Sequence, residues 1–166
     1  MSWRDLPPDH ALNRTHRYGR SFSSQSVAAR RLTWSCLVAL RYRMNIPPYL
    51  EIGPNFARFS PRRTVSLVEA VELITEAIAF CRARAIRRLL VDSTGLTGFA
   101  SPSLVDRFWM AQDWAQESNG MVIVAMIAKA EHIHPRKFGV VAAADAGLVG
   151  DVFTSELEAE EWLLSK

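Results

Sequence analysis

The sequence predicts one α/β domain built on a single mixed, largely parallel sheet with helices packed on it. Two apolar runs, Leu89-Leu90-Val91 and Met121 to Ile127, are apolar on both faces, the pattern of strands inside a helix-covered sheet. Segments of helical period alternate with these runs, and Gly and Pro separate the pieces. With 166 residues, 49% of them hydrophobic and 22% charged, the chain has the profile of one globular domain.

Two short strands come first. Tyr49 to Ile52 and Asn55 to Phe59 flank Gly53-Pro54, a spacing that suits a hairpin, with Phe56 or Phe59 supplying a buried face. Ser66 stands three residues before Glu69, so the hydroxyl can accept from the third helical amide while the carboxylate reaches back to the amide of Ser66. Leu67, Val71, Ile74, Ile78 and Cys81 then form one helical stripe, ending near Arg82 and Arg84 at the negative end of the helix dipole. Arg88 to Asp92 is the next strand. Ser101-Pro102 suits a cap followed by Pro at the first helical position, with Leu104, Val105, Phe108, Ala111, Gln112 and Ala115 as the buried face and a stop near Asn119-Gly120. After the strand Met121 to Ile127, His134-Pro135 opens a third helix through Ala144, closed near Gly147. Asp151 to Phe153 is a last strand, and Ser155 with Glu158 starts a final helix containing Leu157 and Trp162. The order is β-β-α-β-α-β-α-β-α. Helical connections between the later strands imply parallel neighbours.

Charge is unevenly distributed. Residues 1 to 43 hold eight Arg and two Asp, for +6, whereas residues 44 to 166 carry −3. The Arg- and Ser-rich stretch lacks a useful apolar pattern before Leu32 and reads as a disordered leader or a misassigned translation start, with residues 44–166 as the domain. Leu32 to Leu40 is short and broken for a secretion signal. Arg30-Arg31 resembles a twin-arginine pair only weakly, and the acid-poor composition also resembles a transit peptide. No run approaches the roughly 18 apolar residues of a membrane helix, and Cys36 and Cys81 are too few for a disulfide framework, so a reduced cytoplasmic location is the expectation. The negative charge of the domain disfavours specific nucleic-acid binding. The basic leader retains the capacity to adhere to RNA, DNA or anionic lipid without specificity.

Candidate chemistry is sparse. His10 and His16 lie in the leader. His132 and His134 flank Ile133 and begin a metal site only if carboxylates from elsewhere complete it; loop and cap roles are the simpler reading, and neither a metal nor a cofactor is implied. Asp92-Ser93 ends a buried strand, where open α/β sheets gather ligands. Gly95 and Gly98 match neither a Walker loop nor a dinucleotide fingerprint. Arg82, Arg84, Arg87 and Arg88 read as a solvated helix end. Trp109 and Trp114 fall on the flanks of the predicted helix that starts at Ser101-Pro102, as core rim or as partner anchors.

The strand Arg88 to Asp92, its Gly95-Leu96 turn, the Ser101-Pro102 helix start and the final Val152-Phe153-Thr154 before an acidic helix with Trp162-Leu163 resemble the STAS superfamily, in particular its SpoIIAA-like branch of small bacterial proteins. The likeness covers about residues 46 to 165. It implies a non-enzymatic regulatory or ligand-sensing module in which a partner kinase phosphorylates a loop serine. Ser101 is the nearest match, with Ser103 beside it. Where the family's anti-sigma antagonists carry Asp-Ser-Ser-Gly-Leu, this chain reads Ala100-Ser101-Pro102-Ser103-Leu104.

The leading expectation is therefore a STAS-like binding or regulatory domain that meets a protein partner or a small apolar ligand through Asp92, Ser93, Thr94, Phe99 and Trp109. Homodimerisation stays open. A second reading is a lipid or hydrophobic-ligand carrier, similar to the CRAL-TRIO fold, which calls for an apolar pocket beneath the helices. A third is a serine hydrolase pairing Ser93 or Ser101 with His132 or His134 within about 3 Å.

Overall fold

The Gly53-Pro54 turn joins Leu50–Ile52 (β1) to Ala57–Phe59 (β2) as an antiparallel hairpin, held by the amide of Gly53 donating to the Phe56 carbonyl at 3.0 Å. The computed structural model describes residues 46–166; the readings of residues 1–43 lie outside the described residues. Arg63–Thr64 (β3) follows, then the helix Leu67–Ala83 (α1), with Ser66 and Glu69 forming the reciprocal cap expected of them. Arg88–Asp92 (β4) and Leu96–Thr97 (β5) precede the helix Leu104–Ser118 (α2). Ile123–Ile127 (β6) leads through a 3-10 turn, Ala130–His132, to Phe138–Asp145 (α3), Gly150–Phe153 (β7) and Glu156–Leu164 (α4).

The main sheet has the order β1-β2-β4-β6-β7, parallel at every pairing after the first. The protein is thus an α/β domain on a mixed, largely parallel sheet. Two strands absent from the expected order, β3 and β5, pair in parallel as a separate small sheet. Each parallel strand lies beside its predecessor in one direction, and the right-handed crossover rule then sends every connecting helix to the same face. Side-chain alternation shows the result. Leu89 and Val91 of β4 join Ile74 and Ile78 of α1, Ala111 and Trp114 of α2 and Ala143 of α3 in one core. Leu90 faces the opposite way, with Ile123, Ala125 and Leu163 under α4. Burying a side chain such as Ile78 or Leu90 contributes about 1.5–3 kcal/mol, so each face has its own hydrophobic anchor.

Three expectations need correction. Helix α2 is not capped at Ser101-Pro102. Ser103 accepts from the amide of Asp106 at 3.2 Å, and Asp106 Oδ2 receives the Ser103 amide at 2.8 Å, so a second capping box sets the start. The buried face of α2 also differs: Ala111, Trp114, Ala115 and Ser118 point inward, whereas Leu104, Val105 and Phe108 are exposed. Packing brings the stripe through Ala111, Trp114 and Ala115 into the core with Leu89 and Val91 of the sheet. Finally, α3 begins at Phe138 and not at His134-Pro135, because those residues form a turn closed by the Lys137 amide donating to the His134 carbonyl at 2.7 Å. Among the described residues no helix is long and apolar enough to cross a membrane.

Candidate functional site

Helices α1, α2 and α3 do not close completely on the sheet. Between them lies a cavity of about 140 Å³. Leu67 and Val71 of α1, Met110 and Trp114 of α2, Val140 of α3 and Met126 of β6 form its apolar wall. This explains why Leu67 and Val71, expected in the buried stripe with Ile74 and Ile78, are only half-buried: they border the cavity.

Polar groups gather where the wall meets the carboxyl ends of the strands, the customary ligand position in open α/β sheets. Ser93, Arg107, His132, His134, Lys137 and Asp151 all reach this part of the lining. The loop after β5 brings Phe99 to it. Gly98, at φ 99°, permits that turn, since a Cβ there would stand 2.7 Å from the Val65 carbonyl oxygen. The Phe99 ring lies 5.5 Å from the imidazole of His132.

Arg107 ties the two sides together. Its Nη1 donates to the His132 carbonyl at 2.7 Å and its Nη2 to Ser101 Oγ at 3.1 Å. Partial burial pulls the guanidinium below the ordinary arginine value, the nearby Asp106 opposing that shift. Arg107 forms no ion pair among the described residues. Lys137, by contrast, is bound to Asp151 at 2.6 Å, so the charges of that pair cancel at the rim.

Of the residues singled out from sequence, Ser93, Phe99, Trp114, His132 and His134 line the cavity. The Ser93 hydroxyl donates to the Ile127 carbonyl at 2.8 Å, fastening the end of β4 to β6. Asp92 and Thr94 close a local turn, with Thr94 Oγ1 donating to Asp92 Oδ1 at 2.6 Å. Ser101 holds Arg107 and Ser103 caps α2. Trp109, 60% exposed, stands on the outer face of α2, edge-on to Phe108. His134 accepts the Arg136 amide at Nδ1 and meets the Phe138 ring edge-on. Arg82 and Arg84 of the basic helix end find protein partners, Glu117 and the Phe80 ring respectively.

Sequence reasoning missed Arg107, Met110 and Lys137. Arg107 was detectable in principle: it shares a helical face with Ala111 and Trp114 at spacings of four and three. Lys137 owes its position to a left-handed backbone, φ 46°, which no local pattern announces.

No family model, curated protein or solved structure matches the chain.

Proposed function

We propose that this chain is a non-enzymatic binding module, of the STAS kind its sequence resembles, that holds a small and largely apolar molecule beneath α1, α2 and α3. The observation that carries this reading is the cavity of about 140 Å³, walled by Leu67, Val71, Met110 and Met126 and opening beside the polar ends of the strands. An apolar cavity of about 150 Å³ stays dry and accepts a molecule of benzene size. The volume suits a small ring or a short chain, and an extended lipid tail would project beyond it.

The serines support binding over hydrolysis. Ser93 directs its hydroxyl to a carbonyl and Ser101 accepts from Arg107, so each is engaged in holding the lining. A second reading, docking of a protein partner beside residues 92–103, is favoured by the exposed apolar side chains Leu104, Val105, Phe108 and Trp109 on the outer face of α2. Its test is a pull-down comparing wild type with Trp109→Glu.

Titration with toluene, followed by NMR chemical shifts, tests the ligand reading. Saturable shifts at Ala111, Val124 and Ala143, lost in the cavity-filling variants Ala143→Leu and Val140→Phe with native circular dichroism, are expected. Absence of saturable binding, or unchanged binding in both filled variants, would overturn it.

A further inference from the structure

We infer that a second copy of this chain covers the outer face of α2, making the protein a two-fold dimer with Trp109 at the centre of its interface. The pairing rests on the partner-docking reading above and names the partner. It is independent of the ligand, since the cavity lies on the inner side of the same helix.

Three half-buried aromatic rings elsewhere carry a cation of the same chain over them: Arg58 over Phe56, Lys137 over Phe153 and Lys166 over Trp162, at 5.1 to 6.0 Å. Such side chains cover apolar surface with their stems while the charge stays in water. Phe108 and Trp109 are more exposed, at 41% and 60%, and among the described residues their rings meet only each other, edge-on at 5.4 Å. With Leu104 and Val105, each at least half exposed, they leave roughly 400 Å² of apolar surface in water on one helix face. An interface of standard size buries about 800 Å² per partner, and in homodimers about 65% of it, roughly 500 Å², is apolar. Four side chains supply most of that.

Charge selects the second copy over other partners. Val105, Trp109, Gln112 and Gln116 follow one another at steps of four, three and four, which sets them on one seam of the helix, all of them neutral. Other charges of α2 are engaged elsewhere: Asp106 in the cap, Arg107 at the cavity lining and Glu117 with Arg82. Asp113 alone stands exposed on the flank of the seam. A face without cations gives nucleic acid or an anionic membrane nothing to hold, and a single carboxylate gives a basic protein little. An apolar, charge-depleted face rich in Trp and Phe has the composition of a homodimer core, and a two-fold axis brings such a face onto itself. Antiparallel pairing about Trp109 sets Asp113 of one copy beside the Val105 end of the other, so the two carboxylates stand apart.

Sedimentation equilibrium of the full chain in reducing buffer, at micromolar concentrations, tests the pairing. Wild type is expected to reach twice the 18.7 kDa chain mass. Trp109→Glu is expected to weaken association about a thousandfold, because a hot-spot loss of about thirtyfold is incurred by both copies. Val105→Glu, at a site 64% exposed, is expected to dissociate the dimer too, and decides the matter should Trp109→Glu lose its native circular dichroism. Leu157 is as exposed, at 66%, but stands on α4 across the sheet, so Leu157→Glu is expected to change the dissociation constant by no more than about twofold. A monomeric wild type overturns the dimer and leaves the outer face of α2 to another protein, which the pull-down with Trp109→Glu then decides. A dimer that survives both α2 substitutions, or that Leu157→Glu alone dissolves, overturns the assignment of the interface to α2.

Discussion

Arg107 donates to Ser101 Oγ at 3.1 Å, so the loop serine and the cavity cation share one hydrogen bond. That contact couples the Ser101 position to the cavity lining. A carboxylate or phosphate at residue 101 pairs with the guanidinium and competes with its bond to the His132 carbonyl. Ser101→Glu is therefore expected to change toluene affinity several-fold relative to wild type, while Ser101→Ala leaves it within about twofold. Equal affinities in all three proteins, measured by calorimetry, would remove the coupling.

The cap of α2 yields a pH-dependent prediction. The side-chain and backbone hydrogen bonds from Ser103 hold the Asp106 carboxyl below the ordinary aspartate range, with Arg107 adding to the effect. A lowered folded-state value means that Asp106 stabilises the fold above the unfolded-state value, about 3.9, and loses that contribution as pH falls through the folded value. Urea denaturation is expected to find wild type more stable than Asp106→Asn at pH 7 and the gap closing towards pH 2. Ser103→Ala is expected to cost about 1 kcal/mol at neutral pH, the usual effect of an N-cap loss.

Much of the architecture was legible because it depends on short-range patterns. The Ser66-Glu69 box, the apolar core of Arg88–Asp92 and the Asn119-Gly120 stop each act within a few residues, and each stands where the pattern put it. The start of α2 was misjudged because two overlapping signals compete there. Ser101-Pro102 offers a cap and a preset φ, but Ser103 with Asp106 offers reciprocal hydrogen bonds, and the latter prevailed. The inward face was misjudged separately: packing against the sheet leaves Phe108 outward and takes Trp114 inward, and the helical period alone does not choose between neighbouring stripes. Ser93 and Phe99 were found from the position of a strand end. Arg107 meets the His132 carbonyl across 25 residues, and such contacts depend on how helices pack, which no local window encodes.

Cys81 is fully buried against the sheet, and removal from water pushes its thiol up to about 12. The nucleophile is the thiolate, so this side chain is expected to be inert in the folded protein. Iodoacetamide at pH 8 with peptide-resolved mass spectrometry is expected to leave Cys81 unmodified under native conditions and to alkylate it fully in denaturant. Modification of Cys81 at native conditions at the rate of a free thiol would show that α1 opens readily from the sheet.

The two faces of the sheet give the last prediction, because stability and binding are drawn from different sides. Leu163 is fully buried under α4 with Leu90 and Ala125, and Arg58 adds ion pairs to Glu156 and Glu160 of the same helix. The cavity lies on the other face, and none of these residues borders it. Leu163→Ala removes buried methyl groups and leaves a void, a change that costs about 2–5 kcal/mol. Urea unfolding is expected to register that loss, whereas toluene affinity at temperatures where the variant remains folded should stay within about twofold of wild type. A matching drop in affinity would mean that α4 sets the cavity shape through the strands. The rigid partition between Leu89 and Val91 on one side of β4 and Leu90 on the other would then be the wrong description of this sheet.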